Sequence, residues 1–411
     1  MRRYLIHILY LFPTLYLMGQ PPLLERIALY GNTRTKDYVI LRELRLAEGK
    51  PLIETLLLKD RAWLLRQDFL KRIEFQVKPG STEDKRILIL VVQEKVTWSI
   101  SPILNNNDLF GWYTGVNLTQ HNLWGRRNRI DATFQIGGIQ KYGLSWSNPW
   151  FGGKLHLFTR LDMYHTHFPY LYGDHHPHFD ERDTGVLLAM GMGIGRKIQT
   201  GIRIGTEQVW VEDPTVTFSE THTDNISLLE GFFTFDSRDW PLYPRTGLYL
   251  EAWIREFGLF QNHRFYHTGL DFNLYSPLYH DNILALQTSL QISQGRVPVY
   301  KRNHLGGGKT IRGYRTGLLS GENYFFTSLE YRFHIFYERN PLAGINVGYA
   351  GVLFLDAGAA WFQNQIVKPH MLHGSLGFGI HVIWDRWVFR AEYGNHGKGW
   401  GFINLGTGIK F

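Results

Sequence analysis

The chain has 411 residues, of which 44% are hydrophobic, 15% aromatic and 19% charged, and its formal net charge is +8. This length suits two or three ordinary domains, or one large β architecture with an appendage, and the aromatic-rich, strand-forming composition favours the second. Cysteine is absent, which excludes disulfides and thiolate metal sites. The charges are spread along the chain without long runs of one sign, so nucleic-acid binding is not expected.

The N-terminus predicts export. Arg2 and Arg3 precede an apolar stretch over residues 4–18, and Gly19 is a small residue suited to a signal-peptidase site. We predict a signal peptide over residues 1–19, with an uncleaved anchor as the alternative because Pro13 interrupts the apolar stretch. No later run is apolar enough over the length of a transmembrane helix, so the exported chain is either a soluble periplasmic protein or a β-barrel.

Residues 24–95 predict a small independent domain. The spacing of the apolar residues predicts the order β-α-α-β-β, with Thr35 as the N-cap of the first helix. The predicted helices cover residues 36–46 and 53–70, and the predicted strands cover residues 25–30, 73–77 and 86–94.

From Val96 onwards the helical period gives way to strict alternation of apolar and polar residues. In residues 283–294, for example, Leu284, Leu286 and Ile292 share one face, and polar residues occupy the other. About 16 such segments of roughly ten residues fit in the remaining chain, an even number within the range of outer-membrane barrels. Aromatic residues at many segment ends fit interfacial girdles. The sequence therefore predicts a mainly β fold, with a 16-stranded antiparallel transmembrane β-barrel over residues 96–411.

The last predicted strand covers residues 401–411. Its apolar residues alternate with Asn404, Gly406, Gly408 and Lys410, and Phe411 falls on the predicted lipid face, where it resembles the sorting signal of bacterial outer-membrane barrels. The first barrel strand, near residues 98–104, contains Pro102, which removes one donor from the hydrogen-bond ladder. We therefore expect the junction of the first and last strands to be weaker than the other strand pairs.

The glycine-rich stretch over residues 306–317 raises the question of nucleotide binding. Gly308, Lys309 and Thr310 match the last three positions of a phosphate-binding loop, but the position of its first glycine is Asn303 and no helical pattern follows. Nucleotide binding is therefore not expected. A flexible glycine linker does not explain Arg312 and Tyr314, which interrupt the stretch.

Two further clusters of polar residues each allow a functional and a structural interpretation. His165 and His167 precede the run Asp174-His-His-Pro-His178, which we place in an extracellular loop without metal-site spacing, so an incidental polar loop is favoured over a metal site. Asp236, Arg238 and Asp239 suggest either acid–base chemistry or a structural ion-pair corner, and their position before a proline-rich turn favours the corner. No catalytic triad pattern occurs, so we expect no enzyme activity, no metal and no cofactor.

An ordered set of motifs resembles the BamA/TamA family of outer-membrane assembly and translocation proteins. The motifs are Gly31-Asn-Thr-Arg-Thr35, Asn122-Leu-Trp-Gly-Arg126, Ser145-Trp-Ser-Asn-Pro-Trp-Phe151, Asp236-Ser-Arg-Asp239 with Pro244-Arg-Thr-Gly247, Ile311-Arg-Gly-Tyr314, Ser328-Leu-Glu-Tyr-Arg332 and Phe354-Leu-Asp-Ala-Gly358. The first resembles one polypeptide-transport-associated (POTRA) domain and the others resemble segments of the family's barrel.

The resemblance implies that the loop between the eleventh and twelfth barrel strands folds into the lumen and pairs with carboxylates on the wall. Strand alternation independently points Glu330 and Asp356 inward. We therefore name Arg312, Gly313, Tyr314, Glu330 and Asp356 as the loop anchor, with a purely rigidifying role as the alternative. The central motif comprises Asp236, Arg238, Asp239, Pro244 and Gly247.

The expected function is insertion or export of β-barrel or secreted polypeptides through a lateral seam formed by the first and last strands. The resemblance implies unfolded polypeptide clients, outer-membrane lipids and accessory assembly proteins as partners, and an outer membrane of the Gram-negative type with the N-terminal domain in the periplasm. The seam residues are Pro102, Gly406, Gly408 and Phe411. A passive pore of the porin type is the alternative. The chain has room for one POTRA domain, so a main insertase and a specialised member both stay open.

Overall fold

A computed structural model describes residues 21–67, 69–153, 155–170, 179–259, 261–340, 345–384, 387–408 and 410–411. The chain divides into two compact units between Lys95 and Val96. The predicted signal peptide and the histidine run over residues 174–178 lie outside the described residues. Among the residues described, no helix combines the length and apolarity that crossing a membrane requires.

The N-terminal unit is a three-stranded sheet with two helices. Its elements are β1 (Leu23–Tyr30), α1 (Asp37–Leu41), α2 (Glu54–Leu65), β2 (Leu70–Pro79) and β3 (Lys85–Glu94). The strand order is β1-β3-β2, with β1 parallel and β2 antiparallel to β3. The predicted order of elements is confirmed.

One apolar core holds this unit together. Its fully buried side chains include Leu24 of the first strand, Ile40 of the first helix, Leu64 of the second helix and Leu90 of the third strand. The sheet and both helices therefore bury their apolar faces against one another, and the unit has a core of its own.

Three predicted helix boundaries are wrong. Helix α1 ends at Leu41 and not at residue 46. The N-cap of α1 is Lys36 and not Thr35, and the Thr35 amide donates to the Glu94 carboxylate at 2.6 Å. Helix α2 ends at Leu65 and not at Leu70, because Leu70 pairs with Glu94 as the first residue of β2.

Glu94 organises the turn after β1. Burial of its carboxyl group raises the pKa, but the carboxylate also accepts hydrogen bonds from Thr33 Oγ1 at 3.1 Å and from the amides of Arg34 and Thr35 at 3.0 and 2.6 Å. These bonds outweigh burial and lower the pKa of Glu94. The glycine-led turn over residues 31–35 is thereby tied to the end of β3.

Within the described ranges, sixteen antiparallel strands form a closed barrel, which confirms the prediction. They are β4 (Trp98–Asn107), β5 (Gly111–Leu123), β6 (Asn128–Gly137), β7 (Gln140–Phe151), β8 (Leu157–Tyr170), β9 (Phe179–Ile194), β10 (Ile198–Val211), β11 (Thr223–Asp236), β12 (Gly247–Phe257), β13 (Phe265–Pro277), β14 (Ile283–Gly295), β17 (Asn323–Asn340), β18 (Ile345–Trp361), β19 (His373–Trp384), β20 (Trp387–Asn395) and β21 (Phe402–Thr407). The short strands β15 (Asn303–Leu305) and β16 (Leu319–Gly321) pair with each other outside this ring.

Alternation along the strands separates a polar interior from an apolar exterior. On β18, Leu355 is 56% exposed, whereas the neighbouring Asp356 is fully buried. On β17, the polar and charged Ser328, Glu330 and Arg332 are fully buried as well. The outward side chains form an apolar band suited to lipid, and the inward ones build a hydrogen-bonded lumen.

The junction of β4 and β21, here called the seam, is the weakest part of the ring. Its register consists of the single pair Leu405 and Asn106. Strands β4 and β5, in contrast, share ten register pairs, from Trp98 with Gln120 to Asn107 with Gly111. Within the part of the seam that the structure describes, one side-chain bond supplements it, in which the Thr407 amide donates to Asn105 Oδ1 at 3.2 Å.

The end of the chain corrects the sequence prediction. Strand β21 stops at Thr407, and Gly408 adopts a φ of +81°, in the left-handed region that glycine enters without strain. This turn ends the alternation, so Phe411 does not reach the lipid face. It is 6% exposed and packs against Tyr275, Ile283 and Ala285 inside the barrel.

Candidate functional site

The segment over residues 296–322, here called the lumen loop, connects the eleventh and twelfth strands of the ring, β14 and β17. The ladder of β15 and β16 forms its base and pairs Asn303 with Gly321 and Leu305 with Leu319. Beyond this ladder, Ile311 and Tyr314 are buried against Leu305 and Phe326. The loop therefore folds into the barrel interior, as the resemblance implied.

Two glycines let the loop backbone come close to its surroundings. Gly306 has a φ of +119°, and a Cβ atom there would lie 2.0 Å from the Arg315 carbonyl oxygen. Gly313 has a φ of +91°, and a Cβ atom there would lie 2.7 Å from the Asn395 amide nitrogen on β20. A side chain at either position would collide with backbone that cannot move aside, so both positions require glycine.

Arg312 is the central residue of the loop and is fully buried. Its Nε and Nη2 atoms both donate to Asp356, at 2.8 Å each, and its backbone amide donates to the same carboxylate at 2.9 Å. Its Nη1 atom donates to Glu330 at 2.7 Å and to Glu392 at 2.8 Å. One guanidinium group thus binds carboxylates from three strands, β17, β18 and β20.

Asp356 accepts bonds from two further groups. Ser328 Oγ donates at 2.6 Å, and the Nζ atom of Lys410, whose side chain is fully buried, donates at 3.0 Å. The Arg312 guanidinium carbon also lies 3.4 Å from the ring centre of Phe354, which is two residues before Asp356 on β18 and shares its inner face. Asp356 therefore joins the lumen loop to the residues that follow β21.

Glu330, which binds Arg312, also binds Arg332. The Arg332 Nε atom donates to Glu330 Oε2 at 2.8 Å, and its guanidinium carbon lies over the rings of Tyr243, Tyr275 and Phe411 at 5.3, 5.7 and 5.1 Å. These rings come from the turn before β12, from β13 and from the end of the chain. The aromatic faces stabilise the second buried arginine.

Glu392 has three basic neighbours. It accepts from Arg312 Nη1 at 2.8 Å and from Arg390 Nη1 at 2.8 Å, and His381 Nε2 lies 3.1 Å away. Arg390 Nε also donates to the Gly408 carbonyl oxygen at 2.7 Å. The end of the last strand is therefore linked to Arg312 through Arg390 and Glu392.

We call this set of buried groups the arginine network. Its members are Arg312, Ser328, Glu330, Arg332, Asp356, His381, Arg390, Glu392 and Lys410. Sequence reasoning named Arg312, Glu330 and Asp356, and the structure brings these three together. It did not single out Glu392, Arg390 or Lys410, although the alternation of β20 and of the last predicted strand places all three on the inner face.

Tyr314 and Gly313 complete the predicted loop anchor. The Tyr314 hydroxyl donates to the Gly374 carbonyl oxygen at 3.2 Å, and its ring meets those of His373 and His396 edge to face. Tyr314 therefore contacts a part of the wall that Arg312 does not reach.

The central motif forms an ion-pair corner in the turn between β11 and β12. Arg238 binds Asp236 through Nε at 3.0 Å and Nη2 at 2.8 Å, and Asp239 accepts from the amides of Arg245 and Thr246 at 2.9 and 3.2 Å. Gly247 has a φ of +113°. This geometry fits the structural alternative and not acid–base chemistry, because the carboxylates bind groups within the turn.

The corner also directs an aromatic residue into the lumen. Tyr243, which precedes the buried Pro244, is 1% exposed, and it packs against Ala350, Ile383 and Val388 on strands far around the ring. Its hydroxyl lies 3.3 Å from His381 Nδ1. The turn therefore closes part of the lumen at the end opposite the entrance of the lumen loop.

The lumen loop has a second attachment near its start. Lys301 Nζ donates to Glu207 Oε2 at 2.7 Å on β10, and the Tyr300 hydroxyl donates to Asp224 Oδ2 at 2.5 Å on β11. The loop is thus held by polar bonds on two separate parts of the wall.

The remaining predicted residues lie as follows. Pro102 pairs with Val116 in the ladder of β4 and β5, and the one register pair of the seam lies four residues further along β4. Gly406 faces Asn105, whose Oδ1 atom would be 3.0 Å from a Cβ atom at that glycine.

His165 and His167 belong to strand β8 and not to a loop. His165 Nδ1 lies 2.8 Å from Thr184 Oγ1, and His167 Nε2 lies 3.2 Å from Asp180 Oδ2.

Comparison with protein families agrees with this architecture. The model of the Omp85 superfamily domain matches residues 122–395, more than half of the chain. The POTRA model, described as a surface antigen variable number repeat, matches residues 22–95. The chain therefore belongs to the Omp85 superfamily, which confirms the predicted resemblance.

Individual relatives are distant in sequence. The chain is 23% identical, over 361 residues, to the outer membrane protein assembly factor BamA of Nitratidesulfovibrio vulgaris, and the match covers 85% of this chain and 42% of that protein. The chain thus spans about two fifths of the length of this curated relative.

Two solved structures share the fold. BamA from Haemophilus ducreyi lacking POTRA domains 1–3 superposes with a TM-score of 0.64 at 15% identity, covering 95% of this chain and 84% of that one. CdiB from Escherichia coli superposes with a TM-score of 0.65 at 12% identity, covering 95% and 76%.

Family membership, the closed barrel and the POTRA match place the chain in the bacterial outer membrane, with the N-terminal unit in the periplasm. The predicted location is therefore confirmed. Because antiparallel strands alternate in direction, the turn that carries Tyr243 lies on the periplasmic side, and the lumen loop enters from the outside.

Replacing Arg312 should release the lumen loop. Arg312→Ala leaves three buried carboxylates without their shared partner, a change that costs about 3–5 kcal/mol at such sites. Arg312→Lys keeps the charge but loses the two-pronged bond to Asp356. We expect chymotrypsin to cleave after Tyr314 faster in both variants than in the unchanged protein, and fastest in Arg312→Ala.

Arg296→Ala, which removes an exposed arginine from the same loop, is the matched control and should leave cleavage after Tyr314 unchanged. Equal cleavage rates for Arg312→Ala and the unchanged protein would contradict the anchoring role.

Phe411→Ala should destabilise the barrel from within. The substitution removes a ring packed against Tyr275 and Arg332, and truncating a buried Phe lowers the free energy of unfolding by about 3–5 kcal/mol. The urea midpoint at which the folded barrel loses its characteristic electrophoretic mobility should therefore fall. Phe378→Ala, an outward phenylalanine with 59% exposure, should lower it less. A larger fall for Phe378→Ala would contradict the inward placement of Phe411.

Proposed function

We propose that this chain assembles or exports polypeptides at the outer membrane by opening its seam to a client strand. The observation that carries the proposal is the single register pair between Leu405 and Asn106, in a ring whose other strand pairs are long. A strand pair that lacks most of its ladder leaves backbone donors and acceptors available, and an incoming strand can pair with them.

The arginine network supports control of this opening. Gly408, directly after the last strand, is bound by Arg390, and Arg390 shares Glu392 with Arg312. Lys410 shares Asp356 with Arg312 as well. Movement of β21 away from β4 must therefore rearrange contacts that also hold the lumen loop, and the loop position biases the state of the seam.

The N-terminal unit supplies a second surface for clients. In the order β1-β3-β2, strands β1 and β2 are the edges of the sheet. An edge strand binds extended polypeptide through main-chain hydrogen bonds with little demand on sequence, which suits unfolded clients of many sequences. We propose unfolded outer-membrane or secreted polypeptides as the clients, and outer-membrane lipids and accessory assembly proteins as further partners.

A passive pore is the less favoured alternative. The lumen loop, Tyr243, Lys410 and Phe411 all occupy the barrel interior. A pore requires a continuous aqueous path, whereas these residues place charged pairs and aromatic rings inside the lumen. We also propose no enzymatic role, because the carboxylates of the arginine network are paired with basic groups or hydroxyls.

A disulfide across the seam should block the activity. Asn106→Cys with Leu405→Cys introduces two thiols at the register pair of a chain without other cysteines. Oxidation is expected to abolish insertion of a client barrel into proteoliposomes, and reduction should restore it. Ser101→Cys with Asn117→Cys, a register pair between β4 and β5, is the control and should not respond to oxidation. Full insertion by the oxidised seam variant would overturn the proposal.

Depletion of the protein in its host should lower the amount of folded outer-membrane barrels or stop the export of one secreted polypeptide. Quantifying folded barrels and secreted proteins after depletion distinguishes a main insertase, with a general fall, from a specialised translocator, with loss of one client. Unchanged levels of both would contradict the proposed function and favour the pore.

A further inference from the structure

A cavity of about 750 Å³ lies in the lumen beside the seam. It is lined by Asn105 of β4, Gln287 of β14, Lys309 of the lumen loop and Asn404 of β21, among other residues. This volume falls within the range of protein sites that bind ligands. The lining combines amide side chains and Lys309 with two carboxylates, Asp271 and Glu392, and two further basic residues, Arg390 and Lys410.

Lys309 is held at the tip of a tight turn. Thr310 Oγ1 donates to the Gly306 carbonyl oxygen at 3.0 Å and accepts from the Gly306 amide at 2.7 Å, and the Gly307 amide donates to the Tyr314 carbonyl oxygen at 3.1 Å. These bonds fix the backbone on both sides of Lys309. The loop therefore presents its ammonium group from a rigid support.

This ammonium group has no partner among the residues that the structure describes, and its side chain is exposed to the cavity. Two other lysines in the lumen are paired, because Lys301 binds Glu207 and Lys410 binds Asp356. Lys309 differs from them in facing open space. An unpaired cation inside a barrel favours an anionic group of a ligand.

Two amide groups on the same lining are also unsatisfied within the described residues. Gln287 Oε1, an acceptor, and Asn404 Nδ2, a donor, are both buried without a hydrogen-bond partner. Leaving buried polar groups unpaired is unfavourable, so the cavity suits a ligand that both donates and accepts hydrogen bonds.

We propose that this cavity binds an extended polypeptide segment that carries a carboxylate, with Lys309 pairing the carboxylate. The peptide backbone offers an N–H group to Gln287 and a carbonyl oxygen to Asn404. The inference rests on the proposed function, since it names the class of client segment that enters the lumen next to the seam.

A phosphate group fits the lining less well. Phosphate only accepts hydrogen bonds from these amides, so it leaves Gln287 Oε1 unpaired. The carboxylates Asp271 and Glu392 repel a doubly charged anion more than a single carboxylate. The basic residues Arg390 and Lys410 also line the cavity, but they are bound to Glu392 and Asp356. Phe110 and Phe168 add apolar surface for neighbouring side chains of a peptide.

The test uses the full chain in nanodiscs and a short fluorescein-labelled peptide of Ser, Thr and Asn with one central Glu, compared with the same peptide carrying Gln. Fluorescence anisotropy should show that the Glu peptide binds about tenfold more tightly, equivalent to about 1.4 kcal/mol. In Lys309→Met this preference should disappear through weaker binding of the Glu peptide. Lys309→Gln repeats the test with a polar side chain.

Lys368→Met, at an exposed lysine of another loop, is the control and should keep the tenfold preference. Equal binding of the two peptides to the unchanged protein, or a preference that survives in Lys309→Met, would overturn the proposal. Displacement of the Glu peptide by millimolar inorganic phosphate would also overturn it and indicate a general anion site.

The outcome is separable from that of the proposed function, because peptide binding is measured without client insertion. If the oxidised seam variant inserts clients fully while the Glu preference depends on Lys309, the seam proposal fails and the peptide site stands. If oxidation blocks insertion and the preference is absent, only the peptide site fails.

Discussion

The structure depends on one buried guanidinium group that satisfies three carboxylates at once. Without Arg312, Glu330, Asp356 and Glu392 would face one another in a closed lumen with much of their charge uncompensated. Burial of such charges is tolerated only with close, well-directed partners, and the two-pronged bond to Asp356 has that geometry. The inward position of the lumen loop is therefore a consequence of the charges on the barrel wall, and the wall in turn needs the loop.

The same charges connect parts of the molecule that are distant in sequence. Asp356 binds Lys410 at the end of the chain, and Glu330 binds Arg332, whose guanidinium group lies over Tyr243 from the periplasmic turn. A loop that enters from outside and a turn that enters from the periplasm thus meet through two arginines. Because side chains in a packed, hydrogen-bonded lumen cannot shift independently, displacement of one part should be felt by the others.

The contacts between the lumen loop and the barrel wall matter for the proposed function because they lie next to the seam. Strand β21 contributes six residues and one register pair to its junction with β4, so little main-chain bonding holds it there. The residues after β21 bind Asp356 on β18 and Arg332 on β17, and these contacts do not cross to β4. The lumen loop binds Asp108, in the turn after β4, through Thr316, and it shares Asp356 with Lys410. We therefore propose that the position of the loop biases the stability of the seam.

Much of this organisation could be predicted from the sequence. Side chains alternate between the two faces of a strand, so the apolar and polar pattern shows which face each residue occupies. That pattern placed Glu330 and Asp356 inside and also marks Glu392, which no motif singled out. The path of the chain at Gly408 could not be predicted, since one positive φ ends the alternation that placed Phe411 on the lipid face.

The position of Tyr243 inside the lumen could not be predicted from the sequence either. The motif around Asp236 and Gly247 predicts a corner, but the partners of Tyr243 lie on strands more than a hundred residues further along the chain. The end of α2 at Leu65 has a similar cause, because pairing of Leu70 with β3 overrides a continuous apolar helical pattern.

The central claim is that Arg312 couples the lumen loop to the seam. Amide hydrogen exchange of Arg312→Lys in nanodiscs, compared with the unchanged protein, tests it most directly. We predict faster exchange in residues 303–321 and in strand β21 together, with the ladder of β4 and β5 unaffected. Faster exchange in the loop alone, with β21 unchanged, would contradict the coupling.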